Sequence, residues 1–234
     1  MSIPIPSRWS LLNESRFFWD VAQSMARLPL LMTQPRGAGD PVVVLPGFAA
    51  SDTSTVPLRA FLRVLGHDAH GWGLGINGGD VAALLPRMIA QIERRAVATG
   101  ARVRLVGWSL GGVLAREAAR DRPELVERVV TLGSPVVGGP KYTAAGRSYQ
   151  QRGFDLDAIE ASVAERERTP LRVPVTAIYS KRDGIVAWQA CIDRHNAGVE
   201  HIEVNSSHTG LGVHAEVYAL IAKRLAIPRD AETR

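Results

Sequence analysis

A serine stands between two glycines in the segment Gly107-Trp108-Ser109-Leu110-Gly111. A strand pattern at 102–106 precedes it and a helical pattern at 110–120 follows it, which predicts a strand-to-helix turn. On so sharp a turn, a side chain at Gly107 or Gly111 would collide with neighbouring backbone. A serine held there exposes its hydroxyl beside the N–H groups of a helix start, which suits nucleophilic attack on a carbonyl. Alternatively, the pattern arises by chance and the glycines serve packing.

The base for such a serine would be a histidine, oriented by a carboxylate that fixes its tautomer. His208 is the candidate, because it lies among small residues in the loop directly after the last predicted strand. The other histidines beyond the serine fall at the end of a helical stretch, inside a strand pattern and inside the last helical pattern; they are His195, His201 and His214.

Asp183 is the candidate for the carboxylate, because it follows the strand pattern 173–179 in a short turn. A surface ion pair with the adjacent Arg182 is the alternative interpretation. The remaining candidates lie in an insertion or in a helical pattern, where solvated charge is the ordinary explanation; they are Asp155, Asp157 and Asp193.

A second turn, Pro46-Gly47-Phe48, follows the apolar run 42–45 upstream of the serine. A loop there can bend over the serine, so the N–H groups of Phe48 and Leu110 are predicted to form an oxyanion hole. Gly47 would let the backbone approach a substrate closely, and Phe48 need contribute only its amide. An ordinary strand-ending turn is the alternative.

Short strand patterns alternate with longer helical patterns from position 42 onward. This predicts an α/β fold with a mostly parallel sheet of about six strands and helices on both faces. The predicted strands are 42–45, 68–72, 103–106, 128–132, 173–179 and 199–204. The helical patterns are 58–65, a segment between Asp80 and Gly100 that Pro86 is expected to kink, 110–120, a stretch after Ile185, and 212–225.

Three regions are predicted along the chain. Residues 1–39 form an N-terminal segment with a linker, 40–226 a catalytic domain and 227–234 a tail. Residues 136–172 interrupt the alternation, are polar and contain helical pieces at 154–164, which predicts a cap insertion over the sheet edge. An amphipathic helix over 13–28 is predicted from apolar residues at helical spacing, which are Phe18, Val21, Ala22, Met25 and Leu28.

Composition excludes several classes of protein. The chain has 234 residues, 46% of them hydrophobic and 22% charged, which suits one globular domain. Its net charge of +5 is scattered along the chain, which argues against a nucleic-acid partner. The single cysteine, Cys191, excludes an internal disulfide and a cysteine metal cluster. Charges such as Glu14 and Asp20 interrupt residues 1–30, so no signal peptide or membrane span is expected and a cytoplasmic location is predicted.

Taken together, four motifs resemble the α/β-hydrolase superfamily and, within it, the small serine esterase and lipase group; they are Pro46-Gly47-Phe48, Gly107-Trp108-Ser109-Leu110-Gly111-Gly112, Arg182-Asp183-Gly184 and Ser207-His208-Thr209-Gly210. The resemblance covers about residues 40–226. It implies a nucleophile at Ser109, an acid at Asp183, a base at His208 and oxyanion amides at Phe48 and Leu110. Many members have histidine at the position of Pro46. Residues 1–40 also lack a hairpin matching the first two of the family's eight strands, so a trimmed sheet is expected.

The expected activity is cleavage of small carboxylic esters through an acyl-enzyme, with no metal or organic cofactor. The insertion carries few large apolar side chains, so a shallow groove and a preference for short to medium acyl chains are predicted. Trp108 and Trp188 are candidate substrate contacts, or else core residues. An acyltransferase or thioesterase on the same scaffold and a catalytically silent binding module are the alternatives. The sequence makes no prediction of the oligomeric state.

Overall fold

A six-stranded parallel sheet forms the centre of the molecule. The structure is a computed structural model that describes residues 3–7 and 10–227. The strands are β1 (Pro41–Leu45), β2 (Asp68–Gly71), β3 (Val103–Trp108), β4 (Val126–Leu132), β5 (Val175–Tyr179) and β6 (Val199–Glu203). They lie in the order β2-β1-β3-β4-β5-β6, and every neighbouring pair is parallel. The predicted α/β class and strand number are confirmed, and residues 3–7 and 10–40 contain no strand, as expected for a trimmed sheet.

The register of the sheet brings the ends of its central strands together. Leu45 is level with Gly107, Trp108 with Leu132, and Leu132 with Ile178. In a parallel sheet the carboxyl ends of all strands share one edge, where ligands usually bind. The loops that carry the predicted site residues therefore leave the sheet at the same edge.

The helices cover both faces of this sheet. They are α1 (Phe17–Ala26), α2 (Leu28–Leu31), α3 (Val56–Val64), α4 (Val81–Thr99), α5 (Leu110–Asp121), α6 (Gly146–Gln151), α7 (Leu156–Arg166) and α8 (Ala215–Leu225). Short 3₁₀ helices occupy Ser10–Arg16, Asp52–Thr55, Gly139–Tyr142, Trp188–Cys191 and Gly210–Gly212. The side chain of Asp80 caps α4 by accepting the Ala83 N–H at 3.0 Å, and Gly100 ends it with φ 64°. This helix continues through Pro86 as one element.

Alternation along β1 creates two hydrophobic cores. Val42 and Val44 pack on one side with α3 and α8, whereas Val43 and Leu45 pack on the other with α4 and α5. Successive strand side chains point to opposite faces, so a sheet covered on both sides needs apolar residues at every position. This explains why β1 is a continuous apolar run and why all its residues are buried.

Ion pairs hold the insertion on α5. Arg116 lies 3.2 Å from Glu167 and 2.6 Å from Asp193, and Arg120 lies 2.8 Å from Glu167. Arg166, in α7, pairs in turn with the Glu117 carboxylate. Buried charges need such partners, because an unpaired buried ion is costly. These contacts place α7 near α5, the helix that begins at the carboxyl edge of the sheet.

Three details of the predicted elements are wrong. The N-terminal segment predicted as one helix is divided into a 3₁₀ helix, α1 and α2. Its apolar stripe, whose orientation the spacing does not predict, faces solvent, with Phe18 77% and Met25 74% exposed. The stretch after Ile185 forms only a 3₁₀ turn, so Asp193 lies in a loop. His214 precedes α8 as its N-cap instead of lying inside it.

No helix in residues 3–7 and 10–227 combines the length and hydropathy needed to span a bilayer. Of the predicted C-terminal tail, residues 228–234 lie outside the described residues, as do 1–2 and 8–9 of the N-terminal segment.

Candidate active site

The backbone at Ser109 has a conformation that side-chain-bearing residues rarely adopt. Ser109 has φ 54° and ψ −121° and directly precedes the first residue of α5. Ala49 is the other non-glycine residue with positive φ in the part of the chain that the structure describes. Such conformations cost about 1–3 kcal/mol each and persist where the surroundings fix them, commonly at functional sites. Here a hydrogen bond from the Ser109 N–H to the Leu132 carbonyl, 2.7 Å long, helps to hold the turn.

The two glycines that flank the serine are required by close backbone contacts. A Cβ added at Gly107 would lie 2.4 Å from Gly111 O and from Gly112 N, and one at Gly111 would lie 2.4 Å from Leu45 O. These distances are far below van der Waals contact. Side chains at either position would therefore push α5 away from β1 and β3, and the turn of Ser109 with it.

Asp183 and His208 form a buried hydrogen-bonded pair. Nδ1 of His208 lies 2.6 Å from Oδ2 of Asp183, and both side chains are almost fully buried. The other oxygen, Oδ1, accepts N–H groups from Ile185 at 2.8 Å and Val186 at 2.7 Å. The carboxylate is thus fixed on one side by the backbone and faces the imidazole on the other. This leaves Nε2 as the ring nitrogen that can act as a base.

The environment of His208 favours its protonated form. Burial alone would lower the pKa of His208, but the charge and hydrogen bond of Asp183, with the nearby charge of Glu14, raise that pKa above its ordinary value. The carboxylate can therefore stabilise an imidazolium formed during a reaction.

The turn after β1 lies against Ser109. A Cβ at Gly47 would be 3.3 Å from the Cβ of Ser109, a tight contact that a side chain could make only if the turn or the serine shifted slightly. Leu110 is the first residue of α5, and its N–H has no acceptor within the helix. Phe48, Ser109, Leu110 and His208 all line one cavity. The structure therefore places the two residues predicted to supply oxyanion amides at the same cavity as the serine and the histidine.

Asn77 holds the Phe48 turn and was missed by the sequence analysis. Its fully buried side chain donates from Nδ2 to Pro46 O at 3.0 Å. Its backbone carbonyl accepts the Ala49 N–H at 2.8 Å. Asn77 lies in an irregular loop with no motif around it. Its role in holding the turn is visible only from its burial and its hydrogen bonds in the folded structure.

The cavity has a volume of about 840 Å³, near the upper end of the range usual for small-molecule sites. Most of its wall is apolar and comes from the Phe48 turn, α4, α5 and the insertion. The Phe48 ring packs on Tyr149 with centroids 4.7 Å apart, and Tyr149 packs on Phe154 at 5.4 Å. The insertion therefore closes over the site through aromatic contacts and creates more space than the shallow groove that was expected.

Only one of the two predicted tryptophan contacts is at the cavity. Trp108 lines it and donates from Nε1 to the His208 carbonyl at 3.2 Å. Trp188 is not part of the wall, because its indole stacks on Tyr179 and lies 5.4 Å from the Lys181 ammonium. The predicted contact of Trp188 with substrate is therefore wrong for this cavity.

The competing histidines and carboxylates have other partners. His195 is exposed, and His201 in β6 accepts the Asp193 N–H through Nε2 at 2.9 Å. Asp193 binds Arg116, whose charge lowers the pKa of Asp193 against the opposing effect of burial. His214 lies 3.8 Å from Asp20. Within residues 3–7 and 10–227, no three or more His, Cys, Asp or Glu side chains cluster as a metal site would require.

Comparison with known proteins gives partial sequence matches. No family profile matches the chain. The pimeloyl-[acyl-carrier protein] methyl ester esterase of Shewanella woodyi is 33% identical over 102 residues, which are 42% of this chain and 37% of that protein. The esterase of the same name from Aliivibrio fischeri strain ES114 is 29% identical over 120 residues, 49% of this chain and 42% of that protein. The chain thus covers about two fifths of the length of the curated relatives it matches.

Solved structures match over most of the chain. A Bacillus licheniformis lipase in its mature form has a TM-score of 0.62 at 16% identity, covering 84% of this chain and 95% of its own. The Paleococcus ferrophilus monoacylglycerol lipase has a TM-score of 0.60 at 16% identity, covering 80% and 96%. The chain has the α/β-hydrolase fold. The resemblance inferred from the four motifs is confirmed at the level of the fold.

An acidic residue from the N-terminal segment joins the two loops that carry Asp183 and His208. Oε1 of Glu14 accepts N–H groups from Gly184 and His208, each at 3.0 Å. Oε2 accepts the N–H and the hydroxyl of Thr209 at 2.8 and 2.7 Å. Burial raises the pKa of Glu14, but these hydrogen bonds lower it below the ordinary value, so the side chain is ionised. Sequence reasoning missed Glu14, because about 170 positions or more separate it along the chain from the loops it binds.

We expect Glu14→Gln to lower kcat for the expected ester cleavage by about 10- to 100-fold. An amide N–H₂ would face backbone donors and displace the His208 loop. Glu14 helps to keep the pKa of His208 high, so its neutralisation should lower that pKa. In the wild type, kcat/KM should fall on acidification with a midpoint above about 6.5, and in Glu14→Gln the midpoint should move to lower pH.

A matched control is Glu165→Gln, which changes an exposed carboxylate on α7. It should leave kcat and the pH profile as in the wild type. If Glu14→Gln lost activity with an unchanged pH midpoint, Glu14 would support the fold without positioning or tuning His208.

Proposed function

We propose that the chain hydrolyses carboxylic esters through an acyl-enzyme on Ser109. One observation carries the proposal: the Asp183–His208 pair, 2.6 Å apart and buried, opens onto the same apolar cavity as a serine on a positive-φ turn. A serine, an imidazole and a carboxylate that meet at one edge of a sheet form the constellation of serine hydrolases.

The reaction begins when His208 Nε2 takes the proton from the Ser109 hydroxyl and the oxygen attacks the ester carbonyl. The N–H groups of Phe48 and Leu110 receive the developing oxyanion. His208 then gives its proton to the departing alcohol, and the acyl group stays on Ser109. Water, deprotonated by the same histidine, attacks the acyl-enzyme and releases the acid. Asp183 holds the imidazole and stabilises its charged form throughout.

The comparisons support an ester as the substrate. The curated relatives are named methyl ester esterases, and lipases are among the structures that share the fold. An ester of a small alcohol with an apolar acyl group suits a cavity whose wall is mostly apolar and includes the serine and the histidine.

Product analysis tests the proposal. The purified protein should hydrolyse p-nitrophenyl esters, and a serine-directed phosphonate should stop the reaction and add its mass to the peptide containing Ser109. With water and an alcohol as competing acceptors, the acid should be the main product. A dominant new ester would show an acyltransferase, faster turnover of the matching thioester would show a thioesterase, and no turnover or labelling would show a binding module.

Acyl-chain length is expected to change kcat/KM strongly. Each methylene buried in an apolar cavity contributes about 0.8 kcal/mol, or about fourfold, until the cavity is filled. We expect kcat/KM to rise from acetyl to medium-chain esters and then decline. A value that keeps rising to long-chain esters would contradict this profile.

A substitution in the cavity wall should shift that profile. Val163 of α7 lines the cavity, and Val163→Trp should move the optimum to shorter acyl chains. The control is Ala161→Trp on the same helix, which is exposed and not part of the wall. If both variants kept the wild-type profile, the acyl chain would occupy another part of the cavity.

A further inference from the structure

The N-terminal helices present apolar side chains to solvent. We use the name N-terminal apolar face for the exposed large apolar residues of this segment, which are Leu11, Leu12, Phe18, Trp19, Met25, Leu28, Leu30 and Met32. Phe18, Trp19 and Met25 are 77%, 60% and 74% exposed. Single exposed apolar residues are common, but eight of them within one short segment are typical of an interaction surface.

Hydrogen bonds on the opposite side fix this orientation. Besides the four hydrogen bonds of Glu14, Oδ2 of the buried Asp20 accepts the Ser206 hydroxyl at 3.0 Å. The Ser24 hydroxyl donates to the Val213 carbonyl at 2.6 Å. Turning the apolar side inward would break these bonds and leave the buried donors of the loops without their acceptors. The outward position of the N-terminal apolar face is therefore a stable feature of the fold.

The exposed charges of the N-terminal segment itself are positive. Within residues 10–36 the exposed charged side chains are Arg27 and Arg36, because Glu14 and Asp20 are turned toward the body of the protein. One exposed acid of α8, Glu216, lies beside Trp19 and Arg27. Apolar and aromatic side chains with flanking arginines are typical of helices that lie in the interface of an anionic membrane. Trp19 suits this location, since indole rings favour the headgroup level.

The face is also continuous with the cavity. Leu11 is exposed as part of the N-terminal apolar face and lines the cavity that contains Ser109 and His208. Thr209, which Glu14 binds, lines the same cavity. A surface seated on the face would therefore border the entrance to the site.

We propose that the N-terminal apolar face docks on an anionic lipid bilayer. The aromatic and aliphatic side chains enter the interface between headgroups and acyl chains, and Arg27 and Arg36 contact the anionic headgroups. A second copy of the chain is the alternative occupant, and the oligomeric state of the free protein distinguishes it from a bilayer.

Vesicle binding tests the proposal independently of catalysis. The wild type should cosediment with vesicles of phosphatidylcholine and phosphatidylglycerol, bind less to phosphatidylcholine alone, and be released by salt. Trp19→Ser and Phe18→Ser should each weaken binding about tenfold or more, since a buried aromatic side chain contributes at least that factor. Ser109→Ala should bind like the wild type, so loss of ester hydrolysis and loss of binding are separate results.

The control is Val97→Ser, which removes an equally exposed apolar side chain, 78% exposed, from α4. It should bind vesicles like the wild type. Thermal melts identify variants that fail to fold, and Met25→Ser then replaces them as a test of the same face. Absence of binding to anionic vesicles, equal loss in Val97→Ser, or a dimer that Trp19→Ser converts to a monomer would overturn the proposal.

Discussion

Ser109→Ala is expected to abolish ester hydrolysis while the protein stays folded. The methyl group fits wherever the hydroxymethyl group fitted, so the turn and α5 are retained, but no atom remains to form the acyl-enzyme. Loss of a triad nucleophile typically costs about 10⁴-fold or more in kcat. The measurement is turnover of a medium-chain p-nitrophenyl ester, with labelling by a phosphonate as a second readout.

Ser134→Ala is the matched control for this experiment. Ser134 follows β4, the strand next to β3, and is fully buried where Ser109 is half-buried, and it is not part of the cavity wall. Its hydroxyl has no hydrogen-bond partner among the described residues, so removal should cost little stability. It should keep both turnover and labelling. If Ser109→Ala retained more than about a tenth of the wild-type rate, the nucleophile would have to be another residue.

Asp183→Asn is expected to lower kcat by about 10⁴-fold with little change in KM. An amide in place of the carboxylate can present N–H₂ to His208 Nδ1, which favours the wrong tautomer and leaves the imidazolium without its counter-charge. His208→Ala should be affected at least as strongly, because it removes the base itself. His195→Ala, which changes an exposed histidine, should have no effect.

A second buried aspartate provides the contrast to Asp183. Asp193→Asn weakens the pair with Arg116 and leaves the guanidinium partly uncompensated, which should lower the free energy of unfolding by about 3 kcal/mol. The folded fraction should still turn over ester at the wild-type kcat, because Asp193 does not contact His208. Thermal unfolding and active-site titration separate the two effects. A large loss of kcat per folded molecule in Asp193→Asn would contradict the assignment of Asp183 as the acid.

The local sequence was sufficient to predict most strands and helices and to predict that Ser109, Asp183 and His208 lie in loops after strands. Each of the three lies in a short loop after an apolar strand pattern, and such patterns reflect burial on a sheet with both faces covered. Because parallel strands share one edge for their carboxyl ends, residues at strand ends are brought together whatever their separation along the chain. The glycines at 107 and 111 follow from the same local geometry, since the turn itself requires them.

Only the tertiary structure decided the orientation of the N-terminal helix and the partners of its polar residues. The spacing of Phe18, Val21 and Met25 predicts an apolar stripe but does not say whether that stripe meets the protein or the solvent. Glu14 contacts the backbone of His208, 194 positions away, and Asp20 contacts Ser206, 186 positions away. These polar contacts outweigh the usual tendency to bury the apolar side, because the carboxylates find fixed donors in loops that only the folded sheet brings near.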